Sequence, residues 1–174
     1  MVRATLHNRT GAIGREPRKT IHVIPAASVV IGSLCALLPV VSSAGWAPDV
    51  GFLMLVAWRL LRADAWPTWW AAPLGLANDL IVGTPVGQSI ALWSGVMLIL
   101  DLADRRTMWR DYWLEWLLAA LLILLGEAFE WRVAAWGGAR VPFVAILPAI
   151  ALSVAAFPLA SGIVSRLDRW RLQQ

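Results

Sequence analysis

Carboxylates in apolar surroundings are the residues of this chain with the greatest potential for chemistry. Asp79 lies in the stretch GLANDLIVGTPVG, residues 75–87, and it is the only charged residue between Ala65 and Leu100. A carboxylate is costly to bury unless it is hydrogen-bonded or paired. Three interpretations stay open: acceptance of backbone N–H hydrogen bonds from the following turn or the next helix, binding of a partner chain or small ligand, and proton relay.

Glu127 and Glu130, in the stretch GEAFEWR, form a second acidic feature. Residues three apart share one face of a helix, so the two carboxylates point the same way. Such a pair is compatible with acid–base work or cation transport. Arg132 and Arg140 follow closely, however, which favours an interfacial ion pair or a contact with a partner.

The stretch after Asp79 contains Gly83, Pro85 and Gly87 and predicts a tight turn. Glycine permits positive φ, and proline fixes its own φ. The two glycines also have the GxxxG spacing of helix dimers, but a proline between them favours the turn. Small residues spaced for close helix packing occur at Ser28/Gly32, Ala71/Gly75 and Ala91/Gly95.

Recognisable catalytic patterns are missing from the sequence. It has one cysteine, Cys35, and two histidines, His7 and His22, and it contains no HExxH, GxSxG or Walker A motif. We therefore expect no enzymatic activity, no metal site and no cofactor. The basic residues lie between apolar runs rather than on one face, which argues against a nucleic-acid partner.

Composition predicts an integral membrane protein of one domain. The chain has 174 residues, of which 59% are hydrophobic and 15% charged, and its mean hydropathy is +0.66. Soluble domains carry about 25% charged residues, so a water-facing shell cannot cover this much apolar surface.

Apolar runs predict a basic leader at residues 1–20 and a six-helix all-α membrane domain at residues 21–171. Helices two and three are short, and Arg59 and Arg62 are expected to extend towards the membrane interface. If those two helices form a re-entrant hairpin, the chain has four spans instead. The predicted helices are approximately residues 22–43, 49–62, 66–82, 85–103, 112–131 and 141–165.

Basic residues predict the orientation of these spans. Thirteen of the fifteen Lys and Arg residues fall on the side that carries both termini, and only Arg132 and Arg140 fall on the other. By the positive-inside rule both termini are cytoplasmic, and we expect a multi-pass protein of the bacterial inner membrane that contacts lipid. The twelve tryptophans suit the aromatic belts of such a protein.

Two stretches carry a resemblance to a known family. PDVGFLMLVAWRLLRADAW at 48–66 and GLANDLIVGTPVGQSIAL at 75–92 resemble the bacterial rod shape-determining protein MreD. The family pattern G-x-x-x-D-x-x-x-G-x-x-x-G is met by Gly75, Asp79, Gly83 and Gly87. The resemblance covers roughly residues 23–171, and the long basic leader departs from the shorter members.

The resemblance implies a fold, partners and a site. The fold is similar to the substrate-binding subunits (S-components) of energy-coupling-factor vitamin transporters. The implied function is a non-catalytic subunit of the cell-elongation complex that binds MreC and supports peptidoglycan synthesis and cell shape, alongside MreB, RodA and a penicillin-binding transpeptidase. Residues with a partner-binding or structural role are then Asp79, Gly75, Gly83, Pro85, Gly87, Glu127 and Glu130.

Two mechanisms follow as expectations from this resemblance. In the first, helices one to three expose a small-residue groove for the MreC transmembrane helix, and Asp79 with its turn fixes the outer end of that groove. In the second, the chain is a substrate-binding subunit of a vitamin transporter. The second needs an outward cavity with convergent polar groups, for which the sequence offers Asn78, Asp79, Gln88 and Glu127.

Overall fold

A computed structural model describes residues 20–38, 47–63, 65–106 and 112–173. Within these ranges the chain forms six α-helices and no strand, so the prediction of an all-α fold is confirmed. The helices are α1 Thr20–Leu34, α2 Val50–Leu61, α3 Ala71–Val82, α4 Gln88–Arg106, α5 Tyr112–Trp136 and α6 Leu147–Gln173. Short 3-10 turns occupy Cys35–Leu37, Thr68–Trp70 and Phe143–Ile146.

Helix α2 is the centre of the bundle. Every residue from Gly51 to Leu60 is buried, and the helix packs against α1, α4, α5 and α6. Asp49 caps its start, where the side chain accepts a hydrogen bond from the backbone N–H of Phe52 at 3.0 Å. A helix of 12 residues is about 18 Å long at 1.5 Å per residue.

Helices α3 and α4 form an antiparallel hairpin joined by the glycine-proline turn. Helix α4 begins at Gln88, three residues later than predicted. The delay has a backbone cause, because Gly87 has a φ of +104°, which is incompatible with a right-handed helix. The turn therefore includes Pro85 rather than ending before it.

The end of α6 differs from its prediction in a charged stretch. Helix α6 was expected to stop near residue 165 and instead continues to Gln173. The end of an apolar run marks the end of a span, whereas Arg and Leu are good helix formers that extend the helix beyond it. An ion pair between Asp168 and Arg171, with 2.6 Å between the charged atoms, stabilises this last part.

The first predicted span differs at its end. Helix α1 stops at Leu34, and the chain is extended by Leu38, whose ψ is 130°. The remainder of the predicted helix up to residue 43, and the leader as far as residue 19, lie outside the described residues.

One helical segment is long and apolar enough to cross a membrane, among the residues that the structure describes. It runs from Phe143 to Leu172 with a mean hydropathy of 2.3, and only 28% of its apolar window is buried inside the protein. The low buried share distinguishes it from the core helix of a soluble domain. Shorter apolar helices are His22–Leu37, Val50–Leu61 and Gln88–Ala103.

An ion-pair network ties α2 to α4 and α6 at the end of α2 opposite Asp49. Arg59 is only 4% exposed, and its guanidinium lies 3.3 Å from the carboxylate of Asp101. The expectation that Arg59 extends to an interface is therefore wrong, because a carboxylate on α4 holds it inside. Arg62 donates a 2.7 Å hydrogen bond to Asp168 on α6.

Candidate functional site

Asp79 lies in the last turn of α3 and is 1% exposed. Its Oδ1 accepts hydrogen bonds from the Thr84 hydroxyl and the Ser89 backbone N–H, both at 2.8 Å. Its Oδ2 accepts one from the Gly87 backbone N–H at 2.7 Å. These are the donors of the turn and of the start of α4, as the structural interpretation of Asp79 predicts. One carboxylate therefore satisfies the N–H groups that a helix start leaves open.

The backbone of the turn brings these donors to one point. Gly83 caps α3 with a φ of +80°, and its N–H donates to the carbonyl of Asp79 at 2.9 Å. Pro85 accepts a hydrogen bond from the N–H of Gln88 at 3.0 Å. Both positive-φ positions are glycines, which adopt that conformation without the Cβ clash of other residues.

Gly75 allows α3 and α4 to approach closely below the turn. A Cβ at this position would lie 2.7 Å from the Ser89 carbonyl oxygen and 2.8 Å from the Ile90 Cα. The small-residue pattern Ala71/Gly75 is thus a helix-packing contact, whereas a Cβ at Gly95 would meet nothing within 4 Å.

An acidic cavity of about 350 Å³ opens beside this turn. We call it the acidic cavity; its lining is Ala36, Ala47, Pro48, Asp49, Asn78, Val82, Thr84, Ser89, Glu127 and Glu130. Of the polar groups that a ligand-binding interpretation required, Asn78 and Glu127 line it. Asp79 and Gln88 are not part of the lining. Asp49 was not foreseen, although an acid just before an apolar run is a helix N-cap signal.

Glu127 and Glu130 are brought together in the acidic cavity, but neither pairs with an arginine of the described ranges. Glu127 accepts a hydrogen bond from the Ser153 hydroxyl at 3.3 Å. The Arg132 guanidinium instead lies 5.9 Å from the centre of the Trp136 ring. The expected ion pair with Arg132 or Arg140 is therefore absent from this part of the chain, because Arg132 packs on the opposite, aromatic side.

A second cavity is almost wholly apolar and measures about 460 Å³. We call it the apolar groove; its lining is Ile24, Ala27, Ser28, Ile31, Gly32, Cys35, Val50, Met54, Ile163, Leu167 and Trp170. The groove was expected between helices one to three, and it instead lies between α1, α2 and α6. The Ser28/Gly32 pattern serves close helix packing inside the bundle, because a Cβ at Gly32 would lie 3.1 Å from the carbonyl oxygen of Val50 at the start of α2. The role of α6 was missed.

Neither a metal site nor a similarity to a known protein identifies a function for the described residues. No group of three or more His, Cys, Asp or Glu side chains in the described residues is arranged to hold a metal ion. No protein-family model matches the chain, and neither a curated protein nor a solved structure matches it.

Proposed function

We propose that this protein is a non-catalytic membrane subunit of the bacterial cell-elongation complex that binds the transmembrane helix of MreC. The observation that carries the proposal is the apolar groove. By binding MreC, the protein supports peptidoglycan synthesis and cell shape. The same complex also contains MreB, RodA and a penicillin-binding transpeptidase. The proposal rests on the resemblance of residues 48–66 and 75–92 to MreD-like proteins.

The shape of the groove suits a single helix. The α1 residues that line it, from Ile24 to Gly32, recur at helical spacing on one face. Its described lining contains no charged residue, and large side chains at its rim are exposed to solvent, Ile31 by 62% and Trp170 by 53%. The small side chain of Ala27 is exposed on this face, and small residues permit the close approach on which helix association in lipid depends.

Burial and charge support a multi-pass placement in the inner membrane. Helix α2 is too short for a hydrocarbon core of about 30 Å, but it is enclosed by other helices and so is not exposed to lipid. In the proposed topology thirteen of the fifteen basic residues lie on the side of the termini, and by the positive-inside rule this bias supports cytoplasmic ends. Outer-facing α3–α4 and α5–α6 turns complete the six-span arrangement.

The proposal is tested by blocking the groove. Ala27 lies on the exposed, groove-lining face of α1, so Ala27→Trp fills the groove without entering the core. We expect MreC co-expressed with this variant to be recovered at less than a tenth of the wild-type yield from detergent-solubilised membranes. The matched control is Ala91→Trp, because Ala91 is equally exposed on α4 and does not line the groove.

Two results would contradict the assignment. Undiminished recovery of MreC with Ala27→Trp would remove the groove as its binding site. A wild-type protein that purifies as a dimer, and that Ala27→Trp turns into a monomer, would assign the groove to a second copy of the chain.

A further inference from the structure

We propose that the acidic cavity is a binding site for an organic cation that presents an ammonium or guanidinium group. The inference goes beyond the docking of a partner helix, because the acidic cavity and the apolar groove share no lining residue in the described part of the chain.

Three carboxyl groups without a basic neighbour are the first observation. Three carboxylates line the acidic cavity, those of Asp49, Glu127 and Glu130, and its lining in the described residues contains no Lys or Arg. Ionised carboxylates that share one cavity repel one another, and a cation placed between them stabilises the ionised form. Arg132, the nearest arginine along the chain, is engaged with Trp136 instead.

An unsatisfied acceptor is the second, independent observation. Asn78 lines the cavity and is 2% exposed. Its Nδ2 donates to the Ser89 hydroxyl at 3.0 Å, while its buried Oδ1 has no hydrogen-bond partner. A buried acceptor left unpaired costs about 1–3 kcal/mol. A ligand that donates a hydrogen bond to Asn78 Oδ1 removes that cost, and an ammonium or guanidinium group offers several donors.

The dimensions and lining favour an organic cation over a metal ion. A divalent metal needs several oxygen ligands within about 2.0–2.6 Å of one point, and the described carboxylates are not grouped in that way. Small-molecule sites measure about 300–1,000 Å³, a range that includes the 350 Å³ of this cavity. Apolar lining from Ala36, Pro48 and Val82 can contact the carbon skeleton of the cation.

Two sources supply the same chemistry: a free small amine, or a basic side chain of a partner chain inserted from outside. The experiment separates them by choice of probe. The purified full-length protein in detergent is titrated calorimetrically with 1,4-diaminobutane, benzylamine and the blocked peptides N-acetylglycyl-lysyl-glycinamide and N-acetylglycyl-arginyl-glycinamide. Butane-1,4-diol and benzyl alcohol are the uncharged controls, and magnesium chloride tests for a metal.

The central variant is Glu130→Gln, which removes one cavity carboxyl group and keeps the side-chain shape. We expect at least one cationic probe to bind the wild-type protein and to bind Glu130→Gln at least tenfold more weakly. The matched control is Glu115→Gln on the same helix, because Glu115 lies outside the acidic cavity and lines a different one near the other end of α5. Glu127→Gln serves as the second cavity variant if Glu130→Gln fails to fold.

Each outcome decides one question. Binding of the free amines without the peptides assigns the site to a small amine, and peptide binding as tight or tighter assigns it to a partner's basic side chain. The proposal is overturned if no cationic probe binds, if the uncharged controls bind equally well, or if magnesium binds more tightly than every amine. Equal weakening in Glu115→Gln and Glu130→Gln would also overturn it, since the effect would then not belong to the cavity.

Discussion

Arg62 on α2 and Asp168 on α6 are joined by a 2.7 Å hydrogen bond although 106 positions separate them in the chain. Asp168 also pairs with Arg171, whose guanidinium lies 5.6 Å from the centre of the Trp58 ring. This network fixes the end of α2 opposite Asp49. The two ends of this central helix therefore have different surroundings. Paired charges stabilise one end, and the acidic cavity, whose described lining has no basic residue, borders the other.

The first prediction concerns Asp168, which is 7% exposed. Asp168→Ala leaves Arg62 and Arg171 without a shared acceptor and should lower the free energy of unfolding by about 3 kcal/mol, the low end for breaking a buried pair. Thermal unfolding in detergent, followed by tryptophan fluorescence, measures the change. Arg169→Ala is the control, because Arg169 is exposed on the same turn; equal midpoints for the two variants would contradict the network's role.

Local sequence signals predicted the helices but not this network. Apolar runs, short for the second and third helices, marked each of the six helices, because burial of an apolar segment is encoded within that segment. The partners of Arg59 and Arg62 are 42 and 106 positions away. No local sequence pattern predicts that these partners are Asp101 and Asp168. Charge therefore predicted neither the end of α6 nor the contacts of individual arginines.

The candidate site likewise has one part that the sequence predicted and one that it did not. The turn after Asp79 was predictable because glycine and proline act on their own backbone. The acidic cavity was not predictable, because Asp49 caps α2, Asn78 lies on α3 and Glu130 lies on α5, and only the packing of the whole bundle brings them to one place.

The second prediction compares how much stability is lost when different hydrogen bonds of Asp79 are removed. Thr84→Val removes one of its three donors and should cost about 1 kcal/mol, the net value of one hydrogen bond. Asp79→Ala leaves the N–H groups of Gly87 and Ser89 without their acceptor, at about 1–3 kcal/mol for each one that stays buried. Asp79→Asn keeps one oxygen acceptor and should fall between the two. The order of unfolding midpoints in detergent tests this series.

Recovery of MreC with the same three variants separates structure from binding. If Asp79 acts only within the turn, recovery should follow the unfolding midpoint through the series. Loss of MreC from an Asp79→Asn variant that keeps a near wild-type midpoint would instead assign the charge itself to the partner.

The third prediction compares two glycines that share helical surroundings. Gly75→Ala forces α3 from α4, because its Cβ would lie 2.7 Å from a backbone oxygen, and overpacking of this kind costs about 1–3 kcal/mol. Gly95→Ala meets open space and should be neutral or stabilising by up to about 1 kcal/mol through helix propensity. Unfolding midpoints of the two variants give the comparison. A similar loss in both would show that close helix approach at Gly75 is not what the substitution disturbs.

The last prediction concerns orientation in the membrane. An arginine costs about 2.5–3.5 kcal/mol at the centre of a spanning helix, so the excess of basic residues near the termini should keep both ends in the cytoplasm. Alkaline phosphatase, which is active only outside the cytoplasm, should be active when fused after Gly138, in the turn that follows α5, and inactive when fused after Gln173. A green fluorescent protein at the second position should fluoresce. An active phosphatase after Gln173 would show that α6 runs in the opposite direction. The acidic cavity would then lie on the cytoplasmic side, where a periplasmic partner cannot reach it.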